Sequence, residues 1–148
     1  MITGGGGYTG TLLVNKLLEN NYEIAVVDLQ WFGNYLNEHK NLKIIKKDIR
    51  NLNLSDLKQI DTIVHLANIA NDPAVELDEK LSWEVNVLAT QNITDLAIRS
   101  DVKHIIYASS GSVYGVKEED KVTEDLQLVP ISTYNKTKMI AERILLSY

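Results

Sequence analysis

Thr3-Gly4-Gly5-Gly6-Gly7-Tyr8-Thr9-Gly10 is the stretch on which the reading of the fold turns. Gly4, Gly7 and Gly10 give G-x-x-G-x-x-G. In that pattern the first glycine allows a tight turn after a strand, the second brings backbone close to a pyrophosphate, and the third lets helix pack on sheet. Backbone N–H groups and the positive end of the helix then face the anion, with Tyr8 and Thr9 in the same turn. Alone, the stretch fits a flexible glycine-rich terminus equally well. The residues after Gly10 separate the two readings. Gly10, Leu13, Val14, Leu17 and Leu18 fall at i, i+3, i+4, i+7 and i+8, one helical face directed at a core, and Asn20-Asn21 supplies the stop. Glu23 to Asp28 reads as a buried strand ending in a carboxylate. Asp28 stands close to the roughly 20-residue spacing at which an acidic residue meets the adenosine ribose hydroxyls. The competing reading is a simple polar strand terminus.

Composition sets the bounds. A chain of 148 residues, 45% hydrophobic and 24% charged, has the profile of one soluble globular domain. A net charge of -5 without a basic cluster argues against nucleic acid or an anionic membrane as partner. With no cysteine, disulfides, thiolate catalysis and Cys-type zinc sites are excluded, and His39, His65 and His104 are too scattered to suggest a metal site. No apolar run reaches the roughly 18 residues that span a bilayer. No signal-like segment opens the chain, which points to the cytoplasm.

Further along, strands and helices alternate. Trp31 to Lys40 reads as a short helical segment or irregular loop, and Leu42 to Lys47 as a third strand ending at Asp48. Asp48-Ile49 fits either the rim of an adenine site or a helix cap, and Ser55-Asp56-Leu57 one brief helical turn. Asp61 to Ala67 reads as the fourth strand, with small Ala67 where the chain passes beneath a nicotinamide ribose and His65 packed rather than catalytic. Asp72-Pro73 marks a loop. A long helix from about Asp78 to Ser100 carries Leu81, Val85, Leu88, Asn92 and Leu96 on one face and Trp83, Val87 and Thr90 on a second, so it is expected to pack on both the sheet and a partner. Val102 to Ser109 is a fifth strand that delivers Ser109, Ser110, Gly111 and Ser112 to the carboxyl edge, where parallel sheets bind ligands. After a charged loop from Val116 to Leu128, a last helix places Tyr134 and Lys138 at i and i+4 on one face.

Together these motifs resemble the extended short-chain dehydrogenase/reductase family, in particular the NAD-dependent epimerase/dehydratase group that UDP-galactose 4-epimerase typifies. The match runs through Thr3-Gly4-x-x-Gly7-x-x-Gly10, Asp28, Asp48-Ile49, His65-Leu66-Ala67, Asn86-Val87-x-x-Thr90-x-Asn92, Ser109-Ser110-x-x-Val113-Tyr114-Gly115 and Tyr134-x-x-x-Lys138. The resemblance implies an α/β, doubly wound parallel sheet of Rossmann type that binds NAD through Gly4, Gly7, Tyr8, Thr9, Gly10, Asp28, Asp48, Ile49, Leu66 and Ala67. It implies Tyr134 as general acid/base, Lys138 as the residue that lowers its pKa and holds the nicotinamide ribose, and Ser110 as partner of the reacting sugar hydroxyl, a role that Ser109 and Ser112 are close enough to share. A 4,6-dehydratase of this family would have Asp-Glu directly after the catalytic hydroxyl residue. Gly111 and Ser112 stand there instead, which leaves an epimerase or ketoreductase acting on a nucleotide sugar. The competing class is a non-catalytic NAD-binding sensor or scaffold, which has no need of Ser110, Tyr134 and Lys138 together.

Oxidising a secondary alcohol takes a proton from oxygen while a hydride leaves carbon, so the base must ionise near neutral pH. Free tyrosine titrates at about 10, and a lysine ammonium with a cationic nicotinamide ring favours the phenolate. Members of this family pair through the two helices around Trp83 and Tyr134, which implies a homodimer for the intact protein. Length is the main departure. Residues 1–148 correspond to the NAD-binding domain, with only Met1-Ile2-Thr3 for a first strand and no C-terminal substrate lobe. The expectation is therefore unpaired backbone groups on the second and fourth strands, and a chain that alone is inactive and prone to aggregate.

Overall fold

Ile2 and Thr3 form the central strand of the sheet, β1, in a computed structural model that describes residues Met1–Tyr148. Around it stand β2 (Ile24–Asp28), β3 (Leu42–Lys46), β4 (Thr62–His65) and β5 (His104–Tyr107), all parallel, in the order β3-β2-β1-β4-β5. This is the doubly wound order that the sequence led us to expect, with the crossover from one half of the sheet to the other beside β1. Short as it is, β1 pairs on both sides, Ile2 with Val26 and Val64, and Thr3 with Val27 and His65. The Met1 amino group donates to the Thr62 carbonyl at 2.7 Å, so β4 has a partner at a position where the sequence predicted none.

The sheet belongs to the first of two compact units, residues 1–67 and 92–108. Helix α1 (Tyr8–Glu19) comes directly after the glycine turn and ends at Asn20, whose side chain donates to the Lys16 carbonyl, and Asn21 then turns the chain in a left-handed conformation. Val14 is fully buried among Ile2, Ile24, Val26 and Leu36, with Leu13, Leu17 and Leu18 packed against that cluster. The expected helical face is thus the observed one. Residues 31–40 have no regular structure, and short 3-10 turns occupy Ile49–Asn51 and Leu54–Leu57. His65 is packed, as anticipated. It is 1% exposed, its Nδ1 lies 2.6 Å from the Thr3 hydroxyl, and its ring contacts Tyr107.

The second unit comprises residues 68–91 and 109–148. Here the reading of Asp72-Pro73 as a loop is corrected. Asn71 caps helix α2 (Asp72–Leu77) by accepting from the Ala74 N–H, and Pro73 fits the first turn, where no backbone donor is needed. Helix α3 (Glu79–Trp83) continues through a π-helical turn at Glu84–Leu88 into α4 (Ala89–Arg99), which crosses from the second unit to the first after Gln91. The wider turn inserts a residue and shifts the helical phase. Val85, Asn86 and Val87 are consecutively buried, Ile93 rather than Asn92 joins the buried set, and Leu88, expected on the core face, is 57% exposed. The second face is not open either. Val87 and Thr90 are buried within the chain itself, so they offer no surface to a partner. A 3-10 turn at Gly111–Tyr114 and helix α5 (Thr133–Leu146), capped by Ser132, complete the unit. No helix is long and apolar enough to cross a membrane.

The Thr3 hydroxyl also accepts the Ala67 N–H at 3.4 Å, so it joins the buried His65 ring to the segment after β4. Thr3→Val keeps the shape and removes this buried hydrogen bond. We expect a loss of about 1–3 kcal/mol of stability, read as a lower urea midpoint.

Candidate active site

At the first unit's ligand edge, Gly4 takes φ 72, a left-handed turn that suits glycine. A Cβ there would lie 2.6 Å from Ala67 N and 2.8 Å from Ala67 Cα, so the end of β1 and the segment after β4 approach as closely as backbone can. Gly10 is equally constrained, since its Cβ would stand 2.4 Å from the Gly4 carbonyl oxygen. Gly7 caps α1 with no side-chain acceptor, and no acidic residue lies in the first turn. The first-turn N–H groups therefore keep their capacity for an external anion. Tyr8 and Thr9 are exposed in that turn.

Asp28 ends β2 directly across from this loop. One carboxylate oxygen accepts the Gly6 N–H at 2.9 Å and the other the Gln30 N–H at 2.6 Å, which fixes the carboxylate while leaving lone pairs for hydroxyl donors. Gly6 was not singled out by the sequence reading, although a chain that must meet a carboxylate from the next strand needs an exposed N–H there. Asp48 caps the short turn at Ile49–Asn51. It accepts from Arg50 N at 2.9 Å and from the guanidinium at 2.7 Å, and that hydrogen bond holds its carboxyl below the usual range. Ile49 is buried. Leu66 packs on the core cluster, its N–H donating to the Thr3 carbonyl at 3.0 Å, and Ala67 forms the floor under Gly4.

In the second unit, Tyr134 is the second residue of α5 and Lys138 stands one turn on. Three serines were candidates to face the phenol, and the structure distinguishes them. Ser110 is hydrogen-bonded to Tyr134, Ser112 lies 2.7 Å from Ser110 Oγ, and Ser109 is turned away to donate to Glu142 at 2.6 Å. Ser112 thus supports Ser110 rather than replacing it. Lys138 is 2% exposed, which rules out a solvated surface charge, and burial pulls its pKa down to about 8. Burial also pushes the Tyr134 phenol above its ordinary value, with the Ser110 hydrogen bond opposing and the charge of Asp72 adding to the rise.

Two residues that the sequence offered only as parts of a motif and of a turn have further contacts here. Asn86, buried in the π-helical turn, accepts the Ile69 N–H at 2.7 Å and donates to the Ile69 carbonyl and to Thr137 Oγ1 at 3.1 and 3.2 Å. Thr137 in turn donates to the Tyr134 carbonyl at 2.7 Å, so Asn86 locks the turn of α5 that carries the tyrosine. An asparagine among apolar positions of a long helix was the available signal. The other is Asp72, hidden by the loop reading.

Residues 1–148 in full match the NAD dependent epimerase/dehydratase family. A UDP-glucose 4-epimerase of Lactobacillus helveticus is 26% identical over 149 residues, covering 98% of this chain and 45% of that protein. Among solved structures, UDP-N-acetylglucosamine 4-epimerase from Methanobrevibacter ruminantium M1 superposes with a TM-score of 0.92 at 29% identity, over 99% of this chain and 48% of that one. MoeE5, solved with UDP-glucuronic acid and NAD, gives 0.87 at 33% identity, again over 99% of this chain and 48% of that one. The chain thus spans about half the length of these relatives. With the glycine turn, the sheet order and the Ser110–Tyr134 pair in place, the chain belongs to the NAD dependent epimerase/dehydratase family.

Proposed function

We propose that the intact protein is an NAD-dependent nucleotide-sugar epimerase or ketoreductase, with residues 1–148 as its NAD-binding Rossmann domain. The observation that carries this reading is the Ser110–Tyr134 hydrogen bond with a fully buried lysine one helical turn away. A sensor or scaffold would have no use for that arrangement, and burying an unneeded lysine is destabilising. The cofactor fits the residues present: a glycine cradle that a Cβ would fill, an α1 N-terminus without a side-chain cap, and an acidic residue at the end of β2. Gly4, Gly7, Tyr8, Thr9 and Gly10 hold the pyrophosphate, Asp28 the adenosine ribose, Asp48 and Ile49 border the adenine, and Leu66 and Ala67 lie along the nicotinamide ribose. When bound, NAD supplies the hydride acceptor and a positive ring charge.

The chain's own groups manage the proton. Tyr134 takes it from the sugar hydroxyl as phenolate and returns it as phenol, and Ser110 orients that hydroxyl. The Ser112 N–H donates to the Ser110 oxygen at 3.2 Å, which helps hold that hydroxyl beside the phenol. Lys138 holds the nicotinamide ribose and adds positive charge. NAD and a UDP-sugar are named among the bound molecules of MoeE5, which supports both ligand classes. We also propose that the intact protein is a homodimer acting in the cytoplasm, without nucleic-acid or membrane partners. Its basis is the family resemblance and exposed Leu88 on the long helix, since the face around Val87 and Thr90 is already covered. Because relatives carry about twice this length, we propose that the 148 residues assayed alone give no measurable epimerisation.

In the intact protein, Tyr134→Phe should lose nearly all turnover while its NAD affinity stays within a few-fold, by calorimetry; wild-type turnover would refute the assignment. Ser110→Ala should lose about 100-fold or less. Asp28 repels a 2′-phosphate, so NAD should bind more tightly than NADP, and Asp28→Ala should narrow the gap. Equal affinities for the wild type would count against the ribose role.

Lys138 adds a pH signature. In the unfolded chain it keeps its proton to the ordinary value of 10.5, whereas in the folded chain it loses it near 8. The unfolded state therefore binds more protons between those values, and stability rises with pH across the window, by about 3 kcal/mol at most. Urea midpoints of the intact protein should show that rise, and Lys138→Met should abolish it.

A further inference from the structure

Ser110 opens a segment that packing holds only from one end. Ser109, Gly111 and Ser112 are exposed, a Cβ at Gly111 would meet nothing within 4 Å, and Val113, at 1% exposure, is the first buried residue after Ser110. The direction of the Ser110 hydroxyl therefore rests on hydrogen bonds. Downstream, the Ser112 and Val113 N–H groups donate to its side-chain and carbonyl oxygens, both at 3.2 Å. Upstream, the neighbouring Ser109 hydroxyl donates to Glu142 Oε2 at 2.6 Å, the short distance of a hydrogen bond to a charged acceptor. Tyr134, Lys138 and Glu142 stand at i, i+4 and i+8 along one side of α5, and that helix packs against the Gly111–Tyr114 turn. Two neighbouring serines are thus tied to one helix at two points, Ser109 at Glu142 and Ser110 at Tyr134. A single tie would leave the segment free to swing about it. Two ties fix its direction.

We propose that Glu142 is a positioning residue for the reaction: by holding Ser109 it sets the backbone that aims the Ser110 hydroxyl at Tyr134. This rests on the acid/base reading proposed above. Glu142 touches neither cofactor nor sugar in this role and exchanges no proton with them. It acts through Ser109 and Ser110 alone. Because the Ser109–Glu142 bond lies where water reaches it, it exchanges against hydrogen bonds to water and adds little to stability, so its effect falls on geometry.

The test uses the intact protein with NAD and whichever of UDP-glucose, UDP-galactose and UDP-N-acetylglucosamine it turns over fastest. kcat, KM and NAD affinity are measured for the wild type, Ser109→Ala, Glu142→Ala, Glu142→Gln, Ser110→Ala and Tyr134→Phe, and for the first two substitutions on the Ser110→Ala background. Ser109→Ala and Glu142→Ala should each lower kcat about 10-fold, since a small misplacement near the reacting atoms is costly, while KM and NAD affinity stay within about twofold. Glu142→Gln keeps an oxygen to accept the Ser109 proton and should stay within about threefold of the wild type. On the Ser110→Ala background neither substitution should cost more than about twofold, because both act through Ser110. The titration of Tyr134, read as the ultraviolet difference from Tyr134→Phe, needs no turnover. Ser109→Ala should move it upward, as Ser110→Ala does, because the Ser110 hydrogen bond holds it down. Where Glu142→Ala does not fold, Ser109→Ala, at an exposed position, carries the same test. Wild-type kcat in Ser109→Ala, or a loss that persists in full on the Ser110→Ala background, overturns the proposal, and loss of turnover in Tyr134→Phe then shows that the acid/base reading still stands. Full turnover in Tyr134→Phe overturns both.

Discussion

The close approach of Gly4 to Ala67 is the constraint on which the first unit depends. A side-chain carbon at Gly4 would stand 2.6 Å from a backbone nitrogen, well inside any allowed contact. Only because nothing occupies that space can the chain leave β1 in a left-handed turn, with the Gly4 N–H bonded to the Val27 carbonyl at 2.8 Å, and enter α1 within four residues. The turn in turn puts the Gly6 N–H on Asp28 and the uncapped start of α1 on the same edge. Under the proposed function this backbone placement is what would hold the pyrophosphate, so a chain of net charge -5 would need no basic cluster to do it.

In the second unit the corresponding constraint is polar. Asn86 commits both arms of its amide to Ile69 and Thr137, and Thr137 bonds the Tyr134 carbonyl. That chain of bonds fixes the first turn of α5, and Lys138, one turn on, is held out of water. Both titrating groups are displaced by the same burial, the lysine downward and the tyrosine upward. Burial thus favours the neutral form of both groups, and under the proposed function the ionisation of Tyr134 would draw on positive charge brought by the cofactor.

What was legible in the sequence was local. The glycine spacing, the i, i+3, i+4 face of α1, the strand ending at Asp28 and the Tyr134–Lys138 pair are set by short-range geometry, and each stands where it was expected. What escaped depends on contacts far apart in the chain. The phase of the long helix slips because a π-helical turn lets Asn86 reach Ile69 and Thr137, and no periodicity at 3.6 residues anticipates that. The choice among Ser109, Ser110 and Ser112 rests on where Glu142 and Tyr134 lie. Asp72-Pro73 carries a turn signal, but Asn71 ahead of it converts that signal into a helix start.

Under the proposed function Tyr134 is a base whose ionisation depends on bound NAD, and that ionisation is the most direct test. The ultraviolet difference between the wild type and Tyr134→Phe, taken across pH in the intact protein, isolates this one phenol. Without NAD the account predicts a titration above the ordinary tyrosine value of about 10, and with saturating NAD a fall toward neutrality. A phenol that still titrates above 10 with NAD bound would contradict it.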